Sequence, residues 1–345
     1  MKKYQGYGKI VESTKAWILD KKDNNIISKT QWVVTEKIHG ANFCFVCDQN
    51  GNRVRCGKRR DFLDDVEDFF GYKKILHENK PKIQMVFNSL KKESTSEVYI
   101  FGEIFGGKYP HEEVEVINVL PVQTGIWYCP DIKFYAFDAA LVCQDGKQTF
   151  VDYGVAMEAF KHAGLLYAEP LFVGSYKKAL EHPIGFNTTL PSKFGLPLLP
   201  GNKAEGVVIK PITEIIVKTN KGEERAIIKN KIAEFAEDER YDQSVKKNTT
   251  MNGVISSLDL LRFEIQSLVN QNRVNSSISK IGVVLRDDKS KILELLAMCV
   301  EDVVDSIKYN NEEVYDAMDG CDRNILHEEI SFACKKVIAK HFKNQ

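Results

Sequence analysis

The sequence predicts an α+β protein: an antiparallel-rich domain over residues 1–234, a linker at 235–252, and a small all-helical domain over 253–345. Three observations predict it. Short β-rich runs alternate with Asn-Gly and Asp-Gly turn signals through the first part of the chain, which is the pattern of hairpins and not of parallel strands joined by long crossovers. Residues 235–252 are polar and charged. Beyond them apolar residues recur at helical spacing, and no strand signal of similar strength remains. A chain of 345 residues holds two domains at roughly 100–200 residues each.

Trp32-Val33-Val34-Thr35-Glu36 is the first strand, because β-branched and aromatic residues suit a pleated, half-buried surface. Asn42-Phe43-Cys44-Phe45-Val46-Cys47 and Arg53-Val54-Arg55-Cys56 flank an Asn50-Gly51 step, a strong hairpin signal. Residues 82–90 show helical spacing. Residues 98–103 and 134–137 read as further strands, and 147–151 follows a turn at Asp145-Gly146. Residues 155–166 are helical by spacing, and 184–204, rich in Pro, Gly, Asn and Thr, read as a surface excursion. Residues 206–209 and 225–228 close the strand set. In the second domain 255–269, 289–307 and 328–342 carry the helical pattern.

Composition narrows the function classes. Lys+Arg and Asp+Glu are both 48, so the formal net charge is zero. Such a chain does not coat nucleic acid by bulk charge, and any binding must come from local patches. No apolar stretch reaches the ~18 residues of a membrane span, and no apolar h-region follows Met1-Lys2-Lys3, so neither a membrane nor a secretory route is expected. The eight cysteines are scattered, several inside apolar runs. That fits reduced, buried thiols in an intracellular, cytoplasmic protein.

The most informative stretch is Glu36-Lys37-Ile38-His39-Gly40-Ala41-Asn42. A lysine at a strand end, followed by a glycine that can turn the chain, can face a pocket instead of bulk water. An amine nucleophile must be neutral, and nearby cations or burial lower its pKa. Lys229 and Lys231 flank the end of another short strand and, two residues apart, point to one side of it. They can bind phosphate and repel the proton on Lys37. Alone, Lys-x-His-Gly is a weak signal, compatible with a surface lysine before a turn. Its weight comes from the runs downstream of it and their order: Cys56-Gly57-Lys58-Arg59-Arg60, Phe101-Gly102-Glu103, Phe134-Tyr135-Ala136-Phe137-Asp138, Ala204-Glu205-Gly206-Val207-Val208-Ile209-Lys210-Pro211 and Ile228-Lys229-Asn230-Lys231.

This ordered set resembles the covalent nucleotidyltransferase superfamily of polynucleotide ligases and mRNA capping enzymes. More closely it resembles the RNA ligase 2 family, which includes phage-type RNA ligase 2 and the RNA-editing ligases. In that branch the first motif reads Lys-x-His-Gly, whereas DNA ligases usually carry Asp at the third position, so His39 favours the RNA branch. Residues 272–282, Asn-Arg-Val-Asn-Ser-Ser-Ile-Ser-Lys-Ile-Gly, resemble a segment of the helical C-terminal domain of phage-type RNA ligase 2. That separates this branch from ligases carrying an OB-fold. The resemblance runs from about residue 30 to 310.

The resemblance implies an antiparallel-rich nucleotidyltransferase domain and three chemical steps: a lysyl-AMP formed from ATP, transfer of AMP to an RNA 5′-phosphate, and attack by a 3′-hydroxyl that expels AMP. It implies ATP and Mg2+ or Mn2+ as cofactors. The partner is RNA with 5′-phosphate and 3′-hydroxyl ends, duplex or nicked, met by a monomer with no obligate protein partner. Lys37 becomes the nucleophile. Glu36, Ile38, His39 and Asn42 belong to the same motif and sit at the nucleotide, with Gly40 permitting the turn. Arg59 offers a fork for a carboxylate, ribose or RNA phosphate, Glu103 accepts from the ribose, and Phe137 stacks on the adenine. Glu205 is the metal-side carboxylate, and Lys210, Lys229 and Lys231 face phosphate. Arg273, Asn275 and Lys280 are RNA contacts in the helical domain. A core phenylalanine at 137 or a solvated basic turn at 58–60 reads the same in sequence.

Other features are declined. Cys44-x-x-Cys47 has no second pair at zinc spacing and lies on a strand. Asp287-Asp288 reads as a polar loop, and His327 and His341 as helix-surface residues. Two competing readings are a DNA ligase or capping-type nucleotidyltransferase, and an RNA-binding protein on an inactive ligase scaffold.

Overall fold

The computed structural model describes residues 4–48, 51, 53–220, 222–235 and 257–343. The chain divides into two compact units, Met1–Ile232 and Ala233–Gln345. The linker expected at 235–252 lies outside the described residues except for Phe235.

The first unit contains, in order, α1 (Lys21–Lys29), β1 (Gln31–Glu36), β2 (Ala41–Asp48), β3 (Val54–Gly57), α2 (Tyr72–Leu90), β4 (Thr95–Gly106), β5 (Ile132–Cys143), β6 (Gln148–Phe150), α3 (Tyr153–His162), β7 (Pro170–Ser175), α4 (Tyr176–Leu180), α5 (Leu190–Lys193), β8 (Gly206–Pro211), β9 (Ile216–Thr219), β10 (Gly222–Arg225) and β11 (Ile228–Lys231). The sheet orders are β3-β2-β4-β5-β6, β11-β8-β1-β7 and β10-β9. Every ladder between these strands is antiparallel.

Alternation along the strands assigns the faces. On β2, Phe43 and Phe45 meet Phe134, and Phe43 meets Phe69 and Tyr72 beside α2. Cys44 and Val46 point the other way, into a cluster with Tyr7, Tyr99, Phe101 and Ala140. Val208 and Ile227 join that cluster from the neighbouring sheet region, so the two larger sheets face each other across it. The far face of the smaller sheet buries Trp32, Val34, Val207 and Ile209 against Ile27 of α1 and Ala179 of α4.

Several elements depart from expectation, among them the strand expected at 225–228, which is split between the end of β10 at Arg225 and the start of β11 at Ile228. β4 and β5 are twelve residues each, longer than the runs at 98–103 and 134–137, because both faces are covered and the alternating signal is lost. α2 starts at Tyr72 and not at residue 82, and carries Pro81 inside it. Proline lacks the N–H of the helix ladder and reads as a breaker, yet the apolar face of Tyr72, Ile75, Ile83, Val86 and Phe87 stays buried through it. α1 is absent from the sequence expectation; its start is a capping box in which Asp23 N donates to Asp20 Oδ1 and Asp20 N donates to Asp23 Oδ2.

The second unit is helical: α6 (Ser257–Leu268), α7 (Gln271–Ile281), α8 (Lys289–Asn310), α9 (Glu312–Asp316) and α10 (Gly320–Lys343). Leu295, Cys299, Val303 and Ile307 of α8 and Leu326, Ile330, Cys334 and Ile338 of α10 recur every fourth residue and fill one core, the period of a helix face. α7 coincides with the motif segment at 272–282. It forms because Asn270 caps Arg273 N at 3.0 Å and Val274, Ser277 and Ile281 give it a buried side.

Candidate active site

Strand ends build the site. β1 ends at Glu36, and Lys37 follows with its backbone N–H donating to Gly206 O at 2.9 Å. β8 begins at Gly206, so Glu205 stands directly beside Lys37. β11 pairs with β8 in the register that sets Lys231 opposite Gly206. On the larger sheet Asn42 of β2 lies opposite Glu103 of β4. Two glycines permit the approach. A Cβ on Gly40 would meet Ile104 O at 2.2 Å and Glu103 Cγ at 2.9 Å. The chain bends at Gly40 without a positive φ, so glycine is needed there for the close approach to β4. Gly206 has φ +150°, and its Cβ would lie 2.0 Å from Asn230 O.

Glu205 is the electrostatic centre. Its Oε2 is 2.7 Å from Lys37 Nζ and 3.5 Å from His39 Nδ1, and its Oε1 is 3.3 Å from Lys231 Nζ. The carboxyl is 3% exposed. Burial pulls its pKa up, but Lys37, Lys231 and His39 outweigh burial and hold it well below the usual carboxylate range. Glu103 goes the other way. Burial, with Glu205 adding repulsion, pushes it up to about 7 against the pull of Lys37 and Arg59. The Arg59 charge acts on Glu103, and its Nη2 reaches Gly8 O at 3.4 Å.

Phe137 owes its placement to a β-bulge. Phe101 pairs with Asp138 and Gly102 with Ala136, leaving Phe137 as the extra residue of β5. Bulges re-aim a side chain and take its backbone out of the ladder. Lys210 Nζ donates to the Phe137 carbonyl at 2.8 Å. The ring is half-buried and edge-on to Tyr7, with centroids 5.0 Å apart. Lys210 also lies 3.3 Å from Asp138 Oδ2, which accepts from Tyr7 Oη at 2.9 Å and Arg225 Nη2 at 3.0 Å. Burial would raise Asp138, but Lys210 and Arg225 prevail and lower it. Burial depresses Lys210.

The remaining expected residues separate. Lys229 shares a side of β11 with Lys231 but pairs with Glu12 at 3.2 Å. Ile38 is buried, and the Glu36 carboxylate turns away from Lys37 to Thr188 and Thr189. Lys210 is 5% exposed and its ammonium is engaged by the Phe137 carbonyl and Asp138, where the sequence expected it to face phosphate. Arg273 is a correction: it is 4% exposed inside the second unit, with its guanidinium on Leu268 O and Ser306 Oγ, not on a surface that RNA can reach. Lys280 is paired with Asp302, and Asn275 accepts from Gln271 Nε2 at 2.9 Å. Sequence reasoning misses Tyr7, Tyr128, Thr188, Thr189 and Arg225, each of which sits outside a motif.

An RNA ligase family model matches residues 30–231. The chain belongs to the RNA ligase family. A model for the T4 RNA ligase 2 C-terminal region matches residues 255–336, placing it in the RNA ligase 2 branch. The mitochondrial RNA-editing ligase 2 of Trypanosoma brucei brucei is 33% identical over 205 residues, 52% of this chain and 48% of that protein. Mitochondrial RNA-editing ligase 1 of the same organism is 27% identical over 368 residues, 92% of this chain and 78% of that one. This RNA ligase family member thus spans about half of editing ligase 2. An RNA ligase of Naegleria gruberi in its apo form aligns at 13% identity and TM-score 0.41 over 65% of this chain and 56% of that one, too loosely to carry an argument.

Proposed function

We propose that this chain is an ATP-dependent RNA ligase that joins 3′-hydroxyl and 5′-phosphate RNA ends, at nicks in duplex RNA. One observation carries the reading: Lys37 Nζ stands 2.7 Å from a carboxylate that Lys231 and His39 also surround, on strand ends of a family-matched domain.

In the first step the Lys37 nitrogen bonds to the α-phosphorus of ATP as the bond to pyrophosphate breaks. Attack uses the amine lone pair: the Lys37 ammonium that Glu205 holds gives one proton to solvent before attack, and the phosphoramidate nitrogen gives a second after it. Lys231, held on Glu205 beside the reacting amine, stabilises the charge that develops on the phosphates, and Lys229 on the same side of β11 joins it on leaving Glu12. Asn42 Oδ1 is buried without a hydrogen-bond partner, an acceptor waiting for a ligand donor. Phe137 offers its half-buried ring to the base, and Glu103 and Arg59 flank the sugar. Among the described residues no group of three or more His, Cys, Asp or Glu forms a metal cage. Glu205 as a single oxygen donor fits Mg2+ or Mn2+, which bind through one or two carboxylates plus substrate phosphates. Bound there, the cation would supply positive charge at the reacting phosphate.

A-form shape and 2′-hydroxyls would identify duplex RNA. Eight free cysteines suit the reducing, cytoplasmic compartment proposed for this chain. The test is α-labelled ATP with Mg2+ or Mn2+, wild type beside Lys37→Ala, followed by nicked duplex RNA. Label on wild type alone, and sealed product, is the expected result. Label from GTP instead would favour the capping-type reading. RNA binding with neither label nor a pre-formed adenylate would favour the inactive scaffold.

A further inference from the structure

Lys37 is gripped on both sides by residues that lie outside the motifs. On the side before it, both oxygens of Glu36 are engaged: Oε1 accepts from Thr188 Oγ1, and Oε2 accepts from Thr189 N at 2.9 Å and Thr189 Oγ1 at 2.6 Å. Glu36 is 3% exposed. Burial raises its pKa, and the two threonines oppose the rise. A buried carboxylate is costly unless its hydrogen bonds are satisfied, so this contact fixes a single geometry. On the side after it, the His39 backbone N–H donates to Tyr128 Oη at 2.9 Å. Tyr128 is 1% exposed, and burial holds its hydroxyl protonated.

The two grips belong to one frame. Tyr128 follows Trp127 in the loop between β4 and β5, and Thr188 and Thr189 lie in the 184–204 excursion. Asn202 ties these loops together: Trp127 N donates to Asn202 Oδ1 at 3.0 Å, and Asn202 Nδ2 donates to Trp127 O at 2.7 Å. The excursion is closed at its neck by Thr188 N to Asn202 O at 3.0 Å and Ala204 N to Phe186 O at 2.9 Å. Its last residue, Ala204, precedes Glu205. The frame therefore holds the segment carrying the nucleophile and the start of the segment carrying its carboxylate partner.

We infer that Tyr128, Thr188 and Thr189 are positioning residues that fix the Lys37 segment for in-line attack on the nucleotide, while touching neither nucleotide nor RNA. The inference rests on the ligase reading. It predicts a split between steps: lysyl-adenylate formation depends on where Lys37 stands, whereas sealing of an already adenylated RNA end does not use Lys37 as a nucleophile. A displacement of about 1 Å at a reacting atom can cost on the order of 100-fold.

The experiment measures, for wild type, Tyr128→Phe, Thr188→Val with Thr189→Val, and Thr188→Ser with Thr189→Ser, the rate of lysyl-adenylate formation at saturating ATP. Sealing of chemically pre-adenylated nicked RNA is measured in parallel. Phenylalanine and the valine pair are expected to slow the first step roughly tenfold or more, leave sealing within about twofold, and be answered by recovery in the serine pair. Equal losses in both steps, or a first step within about twofold of wild type, would overturn the inference. If the valine pair does not fold, the isosteric Tyr128→Phe decides alone. A wild type that forms no adenylate at all would remove the ligase reading itself.

Discussion

Glu103 is a carboxyl that the fold holds at a loss once it ionises, and replacing it should raise stability above pH 7 while lowering activity. Burial and the neighbouring Glu205 push its pKa from 4.5 up to about 7. The folded state then holds the proton more tightly than the unfolded chain. Its contribution to stability is present below 4.5 and is lost as pH rises through 7. Each tenfold difference in proton affinity between the two states is worth about 1.4 kcal/mol. Between pH 5 and pH 8 the wild type should lose about 2–3 kcal/mol through this group, less where solvent reaches the carboxyl. Glu103→Gln removes the ionisation and keeps the shape. Its melting temperature should match wild type more closely at pH 5 and exceed it at pH 8, by about 5–10 °C at ~2–4 °C per kcal/mol for a unit of this size. Thermal melts of both proteins at the two pH values, without nucleotide, make the measurement, with lysyl-adenylate formation followed in parallel. A melting gap that is equal at both pH values, or that closes as pH rises, would refute the reasoning.

Two further outcomes rest on other placements. Asp138→Asn strips Lys210, 5% exposed, and Arg225 of their shared partner and should cost about 3–5 kcal/mol in denaturant unfolding, with a raised KM for ATP because Lys210 also holds the Phe137 bulge. Adding Lys210→Met should cost less than the sum of the two single changes. Arg273→Ala should lower the stability of the helical unit by about 1–3 kcal/mol by taking the guanidinium donors from buried Leu268 O and from Ser306 Oγ, and should leave the salt slope of RNA binding unchanged; a reduced slope would return Arg273 to the RNA surface.

Motifs are legible because they are local. Lys37, Glu103, Glu205 and Lys231 lie in short runs whose spacing survives without knowledge of the fold, and the hairpin signal at Asn50-Gly51 marks β2 and β3. What stays hidden depends on tertiary pairing. The bulge at Phe137 exists only in the register of β4 against β5. The grip of Thr188 on Glu36 joins residues 152 positions apart, and nothing in the run Asn187-Thr188-Thr189-Leu190-Pro191 announces it. Pro81 hides the first half of α2 because its effect on propensity is local while the burial that overrides it is not. Arg273 fails for the opposite reason: a motif match says that a residue matters, but whether it faces solvent or the bundle is decided by the phase of α7 against α8.

The two active-site carboxylates are displaced in opposite directions, and this divides their labour. Glu205, surrounded by Lys37, Lys231 and His39, stays charged across any working pH and so always presents a negative site for cations. Glu103, opposite Asn42 on the other sheet, changes charge near pH 7. Acidification from pH 8 to 6 therefore neutralises Glu103, the proposed acceptor for the sugar, and leaves Glu205 charged. Weakened nucleotide binding with an unchanged rate at saturating ATP is the consequence for that pH range. The opposite pattern, a falling saturated rate with constant affinity, would mean that the titrating group acts on the nucleophile and not on the sugar.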